Sequence, residues 1–188
     1  MFEDLDNADE LPEPIADRYV VFSHGSEGEP WGKKITALAH IARAEGFEVK
    51  SVDYRGVSDP RKRVTMLTDF CANLQGDLVL VGSSLGAYVA AAAAPLLHCY
   101  GLFLIAPAFY VPGIPELRKG SIDCPISVVH GWRDEVVPLQ NALRFASEYR
   151  ARLHIVDGDH QLHEQMRFIR SFFEYFLLEL DLPRLTER

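Results

Sequence analysis

The pentapeptide Gly82-Ser83-Ser84-Leu85-Gly86 sets a hydroxyl between two glycines, where the apolar run Leu78 to Gly82 gives way to the helix-forming stretch Leu85 to Leu97. A serine at the centre of a sharp strand-to-helix turn is lifted above the sheet, and glycines two positions either side remove side chains that would collide. At the start of a helix, backbone N–H groups and the positive dipole end also face charge developing on a carbonyl oxygen. This combination suits acyl chemistry, with Ser84 as nucleophile and the Leu85 N–H as one oxyanion donor. Ser83 is the competing hydroxyl; it lacks the symmetric glycine flanks and is expected to point into neighbouring packing. The plain alternative is a glycine-rich turn without chemistry, since G-x-S-x-G recurs by chance. The preceding strand and following helix make the match specific.

A serine at its free pKa is a weak nucleophile, so the chemistry needs an imidazole within hydrogen-bond reach and a carboxylate to orient it. The segment PISVVHGWRDEVVPLQNA places Asp134 just beyond an apolar run, and Glu135 is its nearest rival as the acid. The segment RLHIVDGDHQLHEQ places His160 in a short polar turn before an amphipathic stretch, with Asp157 and Asp159 able to hydrogen-bond within that loop. His163 is the rival base, but it falls inside the expected helix, where a solvent-facing or capping role fits better. In VVFSHGSEGEPWG, Gly25 permits a tight bend and the Ser26 N–H could supply a second oxyanion donor, while His24 reads as a structural side chain of that turn.

Elements able to bring these loops together are written in the hydrophobic pattern. Short β-branched runs alternate with longer segments of helical period, the pattern of an α/β fold with a parallel sheet and helices on both faces. Strands are predicted at Tyr19 to Ser23, Phe47 to Val52, Leu78 to Gly82, Gly101 to Ile105, Ile126 to His130 and Leu153 to Val156. Helices are predicted at Trp31 to Glu45, Pro60 to Leu74, Leu85 to Leu97, Pro138 to Tyr149 and Leu162 to Glu179, with a short helical piece around Ile114 to Lys119. Parallel strands put all their carboxyl ends on one edge, so residues far apart in sequence can converge there.

The 188 residues, 48% of them hydrophobic, suit a single domain over 18–188, preceded by a flexible acidic arm over 1–17 that lacks apolar periodicity and basic residues. A formal net charge of -8 disfavours nucleic acid and anionic membrane as partners and more easily accommodates a neutral or cationic small substrate, which the serine chemistry makes a small-molecule acyl compound. Three cysteines form neither an even framework nor a CxxC pair, which fits a reducing compartment. An N-terminus without a basic-then-apolar signal, and a chain without the roughly 20 apolar residues of a membrane span, complete the expectation of a cytoplasmic protein.

Two other chemistries fit poorly. GSEGEPWGKK lacks the register of a phosphate loop, with Glu27 where glycine is needed and Lys34 where a hydroxyl is needed. Asp157, Asp159, His160 and His163 match no metal-ligand spacing with an established mechanism, and no cofactor is expected.

Taken together, SHGSEG, GSSLGA, HGWRDEVVP and GDHQL resemble, in order, the four signature regions of the α/β hydrolases. Brevity and the missing lid make the chain look like the small cap-less bacterial serine esterases of that superfamily. The resemblance implies a minimal, mainly parallel sheet of about six strands, with the catalytic roles falling on Ser84, Asp134 and His160. It also places oxyanion donors at Ser26 and Leu85, after the first-strand His-Gly pair and after the nucleophile. The implied activity is cleavage of an ester or thioester through an acyl-enzyme; the rival is a hydrolase-fold protein that binds a ligand or partner without turnover. Two departures are the lack of an obvious counterpart for the antiparallel strands that open the full hydrolase sheet, and Ala87 where many relatives carry a second glycine. The DYRGVSDP turn reads as structural. Trp31, Phe109, Tyr110 and Trp132, at the same functional edge, either line an apolar acyl pocket or stand as exposed or core-capping aromatics, and without a lid the site is expected to be open and to favour short or protruding acyl groups.

Overall fold

The four central strands are mostly apolar and bury both faces, while the two edge strands are only partly buried, and successive side chains sort themselves onto opposite sides of one sheet. The structure is a computed structural model that describes residues 17–118 and 122–181. Its strands are β1 (Arg18–Ser23), β2 (Glu48–Val52), β3 (Asp77–Ser83), β4 (Cys99–Ile105), β5 (Ile126–Gly131) and β6 (Arg152–Val156). They are parallel throughout, in the order β2-β1-β3-β4-β5-β6. All lie where the apolar runs predict, with ends moved by no more than two residues.

The helices are α1 (Lys33–Ala44), α2 (Pro60–Cys71), α3 (Leu85–Ala93), α4 (Leu139–Tyr149) and α5 (Met166–Leu180). Val20, Phe22, Val79, Val81 and Phe103 meet α1 and α5 on one face, through Leu38, Ala42, Phe173 and Phe176. Val21, Leu80, Leu102 and Val128 meet α2, α3 and α4 on the other, through Leu67, the buried side of α3 and Phe145. The alanines of α3 are almost all buried, so that helix packs as close to the sheet as its narrow side chains allow.

Several helix ends differ from expectation for local reasons. α1 starts at Lys33 because Gly32 is still extended (φ -59°, ψ 161°). It stops as predicted at Gly46, which adopts φ 79° while the Phe47 N–H reaches back to the Ala42 carbonyl at 2.9 Å. α3 gives way to a 3₁₀ turn over Ala94–Leu96, where Pro95 cannot continue the helical ladder. α5 begins later than predicted because Leu162 is buried in a left-handed conformation (φ 54°) and a 3₁₀ turn, His163–Gln165, intervenes. The helical piece expected around Ile114 to Lys119 is absent over the described residues 114–118, where Pro115 and the positive φ of Gly113 (83°) favour turns; Lys119 lies outside them.

The expected acidic arm, residues 1–17, lies outside the described residues except for Asp17, whose carbonyl already accepts from the Asp77 N–H at 2.8 Å. Among the described residues no helix is long and apolar enough to cross a membrane.

The strand order positions the site. From β1 the chain crosses outward to β2 and then returns to β3 on the other side of β1, so the loops leaving β1 and β3 diverge over a crevice at the carboxyl edge. Ser84 follows β3 and Gly25 follows β1 at that crevice.

Candidate active site

Ser84 joins β3 to α3 with φ 53° and ψ -119°, a conformation that L-residues avoid at a cost of about 1–3 kcal/mol. Its backbone is over-determined: the N–H donates to the Ile105 carbonyl at 2.9 Å, and its carbonyl accepts from Ala87, Tyr88 and Ala108. Both flanking glycines are demanded by close approach. A Cβ on Gly82 would stand 2.4 Å from the Ala87 Cα, and one on Gly86 would stand 2.0 Å from the Ser23 carbonyl oxygen. Gly82 therefore lets the new helix fold back onto its strand, and Gly86 lets it nest against the end of β1.

The three residues singled out by sequence meet here. His160 Nε2 lies 2.9 Å from Ser84 Oγ, and His160 Nδ1 lies 2.8 Å from Asp134 Oδ2. The carboxylate accepts from Nδ1–H, which leaves Nε2 without a proton and open to accept from the serine hydroxyl. The acid and base loops are pressed together at Gly131, where a Cβ would stand 2.4 Å from the Gly158 carbonyl oxygen, and the Arg133 N–H bonds that same oxygen at 2.9 Å.

The Asp134 carboxylate is fully buried, yet every oxygen is satisfied. Oδ1 accepts from the Val136 and Val137 N–H groups at 2.9 and 2.8 Å. Burial pushes its carboxyl up, but the hydrogen bonds from His160 and Val137 and the nearby imidazoles outweigh that and hold it below the usual carboxylate range. The rivals sit elsewhere. Glu135 and His163 are exposed, Asp157 pairs with Arg133 at 2.7 Å, and Asp159 accepts from the Leu162 N–H at 2.9 Å. Ser83 turns away from the imidazole and accepts from Lys34 Nζ at 3.4 Å.

Leu85 is the first residue of α3, where its N–H precedes the intrahelical ladder. The Ser26 loop abuts the nucleophile: a Cβ on Gly25 would stand 3.4 Å from Ser84 Cβ. His24 is buried and structural, as expected. Its Nε2 accepts from the Tyr54 N–H at 2.9 Å, so Nδ1 carries the proton and donates to the Gly25 carbonyl at 2.8 Å.

For the four aromatics the structure mostly favours the exposed or core-capping alternative. Phe109 is withdrawn into the core and stacks on Phe145 at 4.2 Å, and Tyr110 donates to Glu148. Trp31 stands half-exposed beside Arg43. Trp132 alone of the four lines a hollow beside the acid, about 620 Å³, with Leu139, Leu143 and Ile155. The larger hollow, about 1110 Å³, opens at the opposite, amino-terminal edge of the sheet around Leu78 and Cys99, away from the candidate site. Among the described residues no three His, Cys, Asp or Glu side chains are grouped to hold a metal ion.

Three residues near the site were given no role there by the sequence reading. His130 is fully buried four residues before Asp134, donates from Nε2 to the Val137 carbonyl at 2.9 Å, and stands 3.4 Å from Asp134 Oδ2. The i, i+4 spacing within HGWRD was its available signal. Arg63 hydrogen-bonds the main chain of the Ser26 loop. Lys34 lies under the base loop, and burial lowers its ammonium to about 8 despite the opposing pull of Asp159.

The Lys34 shift has a testable sign. An amine whose native pKa lies below its unfolded value of about 10.4 opposes folding while protonated, and that penalty lifts as pH rises from about 8 to about 10.4. The unfolding free energy of the wild type is therefore expected to climb relative to Lys34→Met across that window. Urea titrations of both proteins at about pH 7.5 and about pH 10 measure it, and identical changes in the two would exclude the effect.

A six-stranded parallel sheet with a serine on a strained strand-to-helix turn at its carboxyl edge defines an α/β hydrolase. The sequence profile of the alpha/beta hydrolase family matches residues 20–184, and the chain belongs to that family. Among solved structures it is similar to a hydrolase-superfamily protein from Xanthomonas campestris pv. campestris, 29% identical with a TM-score of 0.80 over 88% of this chain and 99% of that one. It shares its fold with Est1E of Butyrivibrio proteoclasticus, 17% identical with a TM-score of 0.77 over 90% and 89% of the two chains. It also shares it with an esterase of Pyrococcus furiosus, 16% identical with a TM-score of 0.72 over 87% and 82%. No curated protein sequence matches.

Proposed function

We propose that the chain is a serine hydrolase that cleaves an ester or thioester of a small substrate through an acyl-enzyme. The observation that carries this reading is the continuous relay from Ser84 Oγ through His160 to Asp134, with contacts of 2.9 and 2.8 Å. In this reading His160 Nε2 takes the hydroxyl proton as Ser84 Oγ bonds to the acyl carbon. The Ser26 and Leu85 N–H groups receive the oxyanion. The Asp134 carboxylate stabilises the imidazolium, which then protonates the departing alcohol or thiol. Water, deprotonated by the same nitrogen, attacks the acyl-enzyme and regenerates Ser84.

Residues 106–118 between β4 and β5 carry no helix, and Trp132 is 64% exposed. Both features favour an open site for short or protruding acyl groups. The first test is intact-mass analysis after treatment with a fluorophosphonate, followed by peptide mapping. A single adduct on Ser84 is the expected result. A folded protein that forms no adduct would reject the nucleophile and leave binding without turnover.

A further inference from the structure

Arg61, Lys62 and Arg63 follow Pro60 in the first turn of α2. Arg61 and Lys62 are exposed, but Arg63 is only 2% exposed. Its guanidinium is spent on main-chain carbonyls: Nε–H donates to Val57 at 2.6 Å, and Nη1–H donates to His24 and Gly25 at 3.2 Å each. Its Cζ stands over the Tyr54 ring, 5.1 Å from the centroid, and among the described residues no carboxylate pairs with it. Burying a cation without a counter-charge is costly unless its donors are satisfied, and two of the three hydrogen bonds of Arg63 go to the loop that carries Ser26.

The Gly25 carbonyl is the focus. It accepts from Arg63, from His24 Nδ1–H at 2.8 Å and from the Gly28 N–H at 3.3 Å. Among the described residues every peptide bond is trans, so the Ser26 N–H leaves the opposite edge of the same rigid plane. Gly25 itself lies against the nucleophile, its virtual Cβ 3.3 Å from the Ser83 carbonyl oxygen and 3.4 Å from Ser84 Cβ.

We infer that Arg63 is a positioning residue for the oxyanion site, holding the Gly25 carbonyl so that the Ser26 N–H stays aimed at the acyl oxygen of a substrate on Ser84. This inference rests on the reading of Ser84 as nucleophile. A fixed N–H and a buried positive charge one peptide behind it both act on negative charge that exists only in the tetrahedral intermediate. The effect therefore falls on kcat and not on substrate binding.

The experiment compares wild type, Arg63→Lys and Arg63→Ala on p-nitrophenyl acetate, with circular dichroism to fix the folded fraction and a boronic acid as a mimic of the tetrahedral adduct. Removing one oxyanion donor lowers kcat about 10²–10³-fold in other acyl-transfer enzymes, and misdirecting one is expected to lower it about 10²-fold here. KM stays within about threefold, and boronate affinity falls in step with kcat/KM. Methylguanidinium is expected to restore kcat at least tenfold in Arg63→Ala, where it can occupy the vacated site, but not in Arg63→Lys, whose side chain fills it. A kcat within threefold of wild type, a loss expressed in KM alone, or a loss that only tracks the folded fraction would overturn the inference. Wild type that forms no fluorophosphonate adduct on Ser84 would fail at the earlier step, on the nucleophile itself.

Discussion

Ser84→Ala is expected to lower kcat for p-nitrophenyl esters by about 10⁶-fold while leaving the melting temperature unchanged. The size follows from the arrangement. In the proposed mechanism the 2.9 Å contact with His160 activates the hydroxyl, and without that hydroxyl the imidazole and the proposed oxyanion donors have nothing to act on. Stability is expected to hold because the elbow's backbone is fixed by main-chain bonds to the Ile105 carbonyl and from the Ala87, Tyr88 and Ala108 N–H groups, none of which involves the side chain. A series from acetate to laurate, run on both proteins, separates enzymatic turnover from background and measures the acyl preference at the same time. Turnover that survives in Ser84→Ala would remove this residue from the mechanism.

Asp134→Asn is expected to lower kcat by about 10⁴-fold with little change in KM. Oδ1 is held by two N–H donors, Val136 and Val137, so an asparagine must keep its oxygen there and turn its NH₂ toward His160. Two donors would then face each other unless the imidazole moved its proton to Nε2, and an Nε2–H cannot accept the proton of Ser84. The folded protein survives because the same two backbone bonds are preserved. Glu135→Gln serves as the control, since that carboxyl faces solvent, and wild-type activity is expected of it. Activity within tenfold of wild type in Asp134→Asn would transfer the acid's role elsewhere.

Much of the site was legible because its residue types are bound to local patterns. Ser84 announced itself through glycines whose absent side chains would have struck Ala87 and the Ser23 carbonyl. Asp134 and His160 were legible as polar residues just past apolar runs, and their rivals could be ranked by where the runs ended. The open and mistaken readings share one cause. Phe109 was read as a pocket-lining or core-capping aromatic, and the core position prevails where Ala106 and Tyr110 adopt positive φ (44° and 54°), which no alternation of polar and apolar residues encodes. Leu162 was expected inside a helix, but its burial in a left-handed conformation delays α5 by several residues.

The sequence by itself determined the order of strands and helices, their glycine and proline stops, and the chemical types at the ends of β3, β5 and β6, because each depends on neighbours a few residues away. Only the tertiary structure decided that Ser84 and His160, 76 residues apart, and His160 and Asp134, 26 apart, stand within hydrogen-bond reach. The order β2-β1-β3-β4-β5-β6 gathers their loops at one edge, and strand order is set by which faces pack together. The same holds for Arg63: whether a basic side chain is solvated or buried on the carbonyls of another loop depends on what the fold lays beside it. Here the loop after β1, 38 residues earlier, supplies the Gly25 carbonyl that turns a surface charge into part of the site's frame.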